Sequence, residues 1–254
     1  MRRVTDYDAV AARYDLRYCH YDYQAIRDAL SAFLGAAPLP AILEVGCGTG
    51  HWLRAMAGRA GRVAGIDLSA EMIGRAIGSG ATLVRARAEA LPWAGQVFDR
   101  LVCVNALHHF TDRDAFFAEA RRVLTPGGGL LSVGLDSHAD RDTWWVYDYF
   151  PETRSIDLAR YPAVRTLRGE LVRAGFSWSE SCEVGVFEDV VSAADALDRG
   201  LVSRHFSSQL AVLSDDEFDA GVARIRDGMA EAAKEGRELT LASELHLFSI
   251  TGWL

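Results

Sequence analysis

The sequence predicts an α/β fold built on a largely parallel, doubly wound sheet. Two observations carry this. From residue 41 to residue 135, short apolar runs alternate with segments of helical periodicity, and a chain that lays successive strands parallel must return through a crossover, normally a helix. The first of those runs, ending Ile42, Leu43, Glu44, Val45, feeds directly into Gly46, Gly48 and Gly50. Glycine costs backbone entropy, so three in five positions suit a sharp strand-to-helix bend where a ligand lies against bare peptide groups. In open α/β sheets ligands bind beyond the carboxyl ends of the strands, which is where this bend falls.

The first 40 residues read as helical: Tyr23, Ile26, Leu30 and Phe33 recur at helical spacing, and Gly35, Pro38 and Pro40 end the run. Strands are expected at Ala41–Val45, Arg62–Ile66, Ala81–Val84, Phe98–Val104 and Gly129–Leu135, with helices at Trp52–Arg59, Ala70–Ile77 and Arg113–Leu124 between them. Pro126 and the glycines after it separate the last helix from the fifth strand. Beyond Leu135 come the aromatic segment TWWVYDYF at 143–150, a helix over Val164–Ala174 closed by Gly175, a strand over Phe176–Val184 and a final strand in SELHLFSITGWL. Between those two strands the pattern is mostly helical. Its best-defined helix starts at Ser214, whose side chain can cap the first turn while Glu217 reaches back; Phe218, Val222, Ile225 and Met229 form its apolar stripe, and Gly236 stops it. The expected organisation is a single domain over 1–254, with 1–40 as a helical lid and 137–165 plus 186–241 as helical cap insertions.

With 254 residues, half of them apolar, the chain can bury a sizeable core. The formal net charge is −8 and no Lys/Arg stripe forms, which argues against a nucleic-acid partner. Cys19, Cys47, Cys103 and Cys182 are far apart and make no Cys-x-x-Cys pair, so no metal is expected, and reduced, mostly buried thiols fit a cytoplasmic protein. The start lacks the apolar core of a secretion signal, and no uninterrupted apolar run reaches the roughly 20 residues of a membrane span. The expected partner is a small molecule, with no membrane association, on a monomer or homodimer.

Asp67 stands twenty-one residues after Gly46, at the end of the second strand, where a carboxylate can accept both hydroxyls of a ribose lying across the first bend. Its other reading is a cap for the helix starting near Ser69. RARAEALPW at 85–93, FDRLVCVNALHHF at 98–110 and RRVLTPGGGLLSV at 121–133 follow in order. A dinucleotide dehydrogenase competes for the glycines, but their spacing is Gly-x-Gly-x-Gly and the Pro-Gly-Gly-Gly turn is foreign to that fingerprint.

Together these segments resemble the class I S-adenosylmethionine-dependent methyltransferases, of the small-molecule, type 11/25-like group whose glycine motif reads E-x-G-C-G-T-G, here Glu44 to Gly50. The resemblance covers roughly residues 5–135 and, more weakly, the last two strands. It implies a seven-stranded Rossmann-like sheet whose last strand runs antiparallel, and S-adenosylmethionine as cofactor, released as S-adenosylhomocysteine. By the same resemblance the peptide groups of Gly46, Cys47 and Gly48 would face the cofactor's methionine and ribose, Glu44 would organise its amino group, and Asp67 would hold the ribose diol. Leu68 and Met72 would pack on the adenine, with Ala88 donating to the ring. Where the family usually has an Asp before that alanine this chain has Arg87, and the exocyclic amine would turn to Glu89 as substitute acceptor or to water. Asn105 would offer its carbonyl to the amino group. The N-terminal YDAVAARYD resembles the family's lid, with Tyr14 as contact or else a core-facing ring.

Methyl transfer from a sulfonium is an in-line displacement that asks mainly for alignment and exclusion of water, with a base where the acceptor must lose a proton. His109 is the first candidate for that base or for orienting the acceptor, His108 the second; either could instead be a structural turn histidine. Asp136, Trp144, Trp145 and Tyr147 are candidate acceptor contacts. Their alternatives are a helix cap for Asp136 and cap core for the aromatic residues. The predicted activity is transfer of a methyl group to an oxygen or nitrogen of a small organic acceptor. The alternatives are a non-catalytic cofactor-binding regulator or scaffold, and an enzyme of this fold using a modified cofactor.

Overall fold

Strands β1 (Leu39–Val45), β2 (Ala60–Asp67), β3 (Thr82–Arg85), β4 (Phe98–Val104) and β5 (Leu124–Leu135) pair in parallel in the computed structural model, which describes residues 5–254. The first four residues of the expected lid, 1–4, lie outside the described residues. The sheet order is β3-β2-β1-β4-β5-β8-β6, with β7 (Trp178–Ser192) pairing β8 (Thr240–Trp253). The last strand, β8, is antiparallel to β5 and to β7. An eighth, two-residue strand, β6 (Thr143–Trp144), raises the expected count of seven: it extends the β5 side of β8 at Glu244 and Ser243. The order reverses between β1 and β4, so the crevice for a ligand opens above their carboxyl ends.

β1 and β4 occupy the middle because both faces of each are apolar. In β1 every residue from Ala41 to Val45 is buried, and in β4 Leu101 to Val104 are. Helices α2 (Gln24–Leu34) and α3 (His51–Ala55) cover one face, where Ile26, Leu30, Leu53 and Met56 meet Ile42, Val102 and Leu131. On the other, α5 (Arg113–Val123) and α8 (Val164–Arg173) bring Phe116, Phe117, Ala120 and Leu171 against Leu43, Leu101 and Leu130. The remaining crossover helix, α4 (Ala70–Ala76), starts at Ser69, whose hydroxyl accepts from the Met72 amide at 3.1 Å.

The N-terminal segment is helical as expected, though its middle is 3-10: α1 (Tyr7–Val10) runs into a nine-residue 3-10 helix, Ala11–Cys19. The second cap insertion is shorter than expected, because β7 continues through Ser192 and β8 begins at Thr240. Gly185 reads locally as a break, yet the strand passes it with a shift of register between Glu183 and Gly185, held by fourteen paired residues on β8. What remains helical is α9 (Ala193–Asp198), α10 (Ser208–Ala211) and α11 (Asp215–Lys234). Helix α11 carries the Ser214/Glu217 capping box that its sequence announces. The first cap insertion holds α6 (Trp145–Tyr149) and α7 (Glu152–Arg160). Two of the four free cysteines, Cys47 and Cys103, are buried and two, Cys19 and Cys182, are exposed, against the expectation of mostly buried thiols.

Candidate active site

The bend after β1 is shaped by its glycines. Gly46 has φ +75° and Gly48 φ +52°, conformations that L side chains rarely adopt, and a Cβ on Gly46 would lie 2.4 Å from the Cβ of Ala106. The amides of Gly46 and Cys47 both donate to the Ile66 carbonyl, at 2.9 and 2.8 Å, which ties the bend to β2. Asp67, at the end of β2, accepts from the Gly48 amide through Oδ2 and from the Ser69 amide through Oδ1, each at 2.9 Å. Ser69, not Asp67, caps α4. Burial raises the Asp67 carboxyl, and the backbone donors of Ser69 and Gly48 partly offset this.

Above the bend lies a cavity of about 330 Å³. Its floor is Gly46, Gly48 and Asp67; Leu68 and Met72 line one side and Ala88, Glu89 and Phe110 another, while Asn105, Ala106 and His109 come from the end of β4 and the turn after it. The lid closes it: Thr5, Tyr7 and Tyr14 line the same cavity, and the Tyr14 ring lies over Gly48, with its Cε1 3.8 Å from where a Cβ would stand. Several hydrogen bonds fasten this segment around the cavity. The Thr49 hydroxyl donates to Asp15, the Ser69 hydroxyl to Asp8, and the Tyr7 hydroxyl hydrogen-bonds His109 Nε2.

Two residues expected at the cofactor stand behind this cavity. Cys47 turns its sulfur into the core, within 3.0 Å of where a Cβ on Gly65 would be. Glu44 is fully buried beneath the bend and neither carboxylate oxygen has a hydrogen-bond partner. Burial, then the charge of Asp67, hold its carboxyl well above the usual carboxylate range; the Leu53 amide opposes them without making a hydrogen bond of normal geometry. Glu89 does line the cavity, but its Oε1 takes the Thr111 amide and hydroxyl at 2.9 and 2.8 Å, and its Oε2 sits 3.5 Å from the Arg87 Nε.

A second chamber of about 80 Å³ adjoins the first, and Tyr7 and Asn105 line both. His108 is on its wall, stacked on Tyr161 with ring centroids 3.9 Å apart, together with Tyr21, Trp144, Phe187, Phe206, Arg17 and Gln209. The two histidine rings touch, with centroids 3.8 Å apart, but His109 lines the first cavity and His108 the second. Of the other expected acceptor contacts, only Trp144 lines the chamber. Trp145 is buried among Phe150 and Phe206. Tyr147 donates to Asp157 at 2.9 Å. Asp136 accepts from the His138 and Val164 amides at 3.0 Å each, which places it at a turn and at the start of α8.

Sequence reading passed over Tyr7, Arg17, Tyr161 and Gln209. Tyr7 opens the very motif quoted for the lid, so the signal was present. The others come from three separate segments with no local pattern. Tyr161 and Gln209 are joined by a buried cluster in which Asp157 pairs with Arg160 at 2.8 Å and accepts from the Gln209 amide at 3.0 Å, which also donates to the Tyr161 hydroxyl, while Arg17 reaches the Phe206 carbonyl. Asn105 has φ +51°, rare for a residue with a side chain, and that strain is an independent mark of a functional site. Among the described residues no group of three His, Cys, Asp or Glu side chains comes together to hold a metal ion, and no helix is long and apolar enough to cross a membrane.

A family described as "Methyltransferase domain" matches residues 43–132, from β1 into β5. A ubiquinone/menaquinone biosynthesis C-methyltransferase UbiE of Acidiphilium cryptum is 28% identical over 209 residues, covering 67% of this chain and 80% of that protein. The UbiE of Shewanella oneidensis is 30% identical over 171 residues, covering 56% of this chain and 68% of that protein. Among solved structures, a putative methyltransferase from an antibiotic biosynthesis pathway of Anabaena variabilis superposes with a TM-score of 0.70 at 19% identity, over 89% of this chain and 96% of that one.

Proposed function

The chain belongs to the class I S-adenosylmethionine-dependent methyltransferases, and from that premise we propose that it methylates an oxygen or nitrogen of a small organic acceptor held in the aromatic chamber beside the cofactor cavity. The cofactor is S-adenosylmethionine, whose sulfonium supplies an electrophilic methyl group. The residues present fit it. Gly46 and Gly48 leave peptide groups bare, and each Asp67 oxygen, after one backbone bond, keeps a lone pair for a ribose hydroxyl. Leu68 and Met72 offer apolar surface to a base. The buried, unpartnered carboxyl of Glu44 is the group an ammonium would satisfy, directly or through water.

One observation carries the acceptor assignment: the two cavities meet at Tyr7 and Asn105, with one histidine on each side. Tyr7 and Tyr14 close the first cavity against water, which aligns and shields the reacting groups. His108, on the chamber wall and stacked on Tyr161, is placed to take the acceptor's proton or to orient it; His109, bonded to Tyr7, is placed to hold the lid. This ranks the histidines opposite to the order expected from the sequence. Free thiols in all four cysteines support a cytoplasmic location.

The similarity to C-methyltransferases of ubiquinone/menaquinone biosynthesis favours a second reading, transfer to a ring carbon of an electron-rich aromatic. The test is incubation with methyl-labelled S-adenosylmethionine and a panel of phenols, amines, carboxylates and electron-rich rings, with NMR location of the methyl group. Label on oxygen or nitrogen supports the proposal, and label on carbon supports the second reading. His108→Gln should lower kcat about 100-fold with cofactor affinity within twofold, whereas His109→Gln should act mainly on cofactor affinity. The reverse pattern would overturn the assignment.

A further inference from the structure

We propose that the acceptor is a small aromatic acid whose carboxylate is held by Arg17; this rests on the second chamber being the acceptor site. Arg17 sits on the 3-10 helix of the lid and lines that chamber, not the cofactor cavity. Its guanidinium lies 4.0 Å over the Tyr14 ring, and its one hydrogen bond to a described residue is a long one, from Nη2 to the Phe206 carbonyl at 3.4 Å. Nε is buried without a partner. The ionisable groups that surround it are tyrosines, Tyr14, Tyr23, Tyr7 and Tyr18.

Two other partly or fully buried arginines of this chain are neutralised by carboxylates. Arg160 pairs with Asp157, and Arg113 is held through two nitrogens by Glu170 at 2.8 and 2.9 Å. Arg17 makes no ion pair with any described residue, and neither Asp nor Glu lines the chamber. A desolvated guanidinium with free donors and aromatic faces around it is an incomplete site, because removing such a cation from water is unfavourable until an anion joins it. A carboxylate matches its fork of N–H groups.

Two more donors on the same wall, the Tyr21 hydroxyl and the Trp144 indole N–H, are buried and make no hydrogen bond of normal geometry with the described residues, the Tyr21 hydroxyl lying nearest to Ser243 and Trp144. The chamber is thus rich in donors and lacks acidic side chains, the opposite of what a cationic amine needs. Tyr161, Phe187 and Phe206 wall it with flat apolar faces, which select a ring to carry the carboxylate. The cofactor's own carboxylate is the other possible source of the anion, and binding measurements separate the two.

The experiment is calorimetric titration of the full chain, loaded with S-adenosylhomocysteine, against benzoate, 2-, 3- and 4-hydroxybenzoate and 2-aminobenzoate, each beside its amide. At least one acid should bind ten times more tightly than its amide. In Arg17→Gln that preference should vanish while the amide and S-adenosylhomocysteine bind within twofold of the unaltered chain, and Arg17→Lys should restore part of it. Equal binding of every acid and amide, or no binding by any acid, overturns the proposal. Loss of S-adenosylhomocysteine affinity in a folded Arg17→Gln chain also overturns it and assigns Arg17 to the cofactor. These readouts are affinities, so a failure of the oxygen or nitrogen assignment, read from the labelled product, is distinguishable from a failure here.

Discussion

Asp67 does two jobs, and its replacement should show both. In the ligand-free chain its two oxygens accept from the Gly48 and Ser69 amides at 2.9 Å, so the carboxylate ties the glycine bend to the start of α4. Hydrogen bonds to a charged group contribute about 1.5–3 kcal/mol each, and solvent screening of this partly exposed group brings the pair below the lower end of their sum. Asp67→Ala should therefore cost about 2 kcal/mol of stability, a fall in Tm of roughly 4–8 °C for a domain of this size. Cofactor binding loses more. Two further charge-assisted bonds, one to each ribose hydroxyl, are worth about 2–4 kcal/mol net, so Kd for S-adenosylhomocysteine should rise roughly 30- to 1,000-fold. Asp67→Asn keeps one acceptor oxygen, so it should recover about half the loss of Tm while most of the loss of affinity remains. Thermal unfolding followed by circular dichroism and titration calorimetry measure the two separately. An unchanged Kd in folded Asp67→Ala, or full recovery of affinity in Asp67→Asn, would refute the role of the charge.

Two other substitutions probe the same cavity from below. Gly46→Ala places a methyl 2.4 Å from Ala106 Cβ at φ +75°, so left-handed strain and overpacking should together cost about 2–5 kcal/mol, with part regained in the Gly46→Ala/Ala106→Gly pair; denaturant unfolding within 0.5 kcal/mol of the original chain would contradict this. Burial pushes the Glu44 carboxyl up, and an arriving ammonium should pull it back down, so cofactor binding should release protons. Calorimetry in buffers of different ionisation enthalpy should show that release, and Glu44→Gln should abolish it. The sign for stability follows from the same shift. A carboxyl whose folded pKa is raised contributes fully below its unfolded value, near 4.3, and loses that contribution as pH rises through the folded value, so Glu44→Gln should stabilise the ligand-free chain progressively above that point. An unchanged pH profile would count against it.

The parts of this molecule that could be read in advance are those where local chemistry and tertiary demand agree. Strand β4 begins and ends where its sequence says, at Phe98 and Val104, because an apolar run buried on both faces has no other environment in which to sit. The Ser214/Glu217 box and the glycine bend are legible for a related reason: each solves a backbone problem with neighbours in the chain. The continuation of β7 past Gly185 was not legible, since its pairing energy is supplied by β8, which lies far along the chain beyond the helical insertion. The acceptor chamber was hidden more deeply. Arg17, Tyr161, Phe206 and Gln209 have no mutual spacing rule, and their meeting depends on the Asp157–Arg160 pair and the packing of the lid over it.

The histidine pair shows what kind of information was absent. In the sequence His108 and His109 are equivalent neighbours beyond a strand, and nothing in their composition ranks them. They lie in a 3-10 turn, Leu107–His109, where successive side chains are set about 120° apart around the axis. The two rings stay in contact, with centroids 3.8 Å apart, yet of the two only His109 lines the cofactor cavity. Which one does so is decided a few residues earlier. Asn105, at φ +51° with its amide bonded to the Val133 carbonyl at 2.8 Å, reverses the chain at the carboxyl end of β4 and thereby sets the phase of the turn. The His109 ring is then delivered to Tyr7 and the His108 ring to Tyr161. A strained backbone at a residue that is not glycine persists only when the surroundings over-determine it, and here it divides two identical side chains between two chambers.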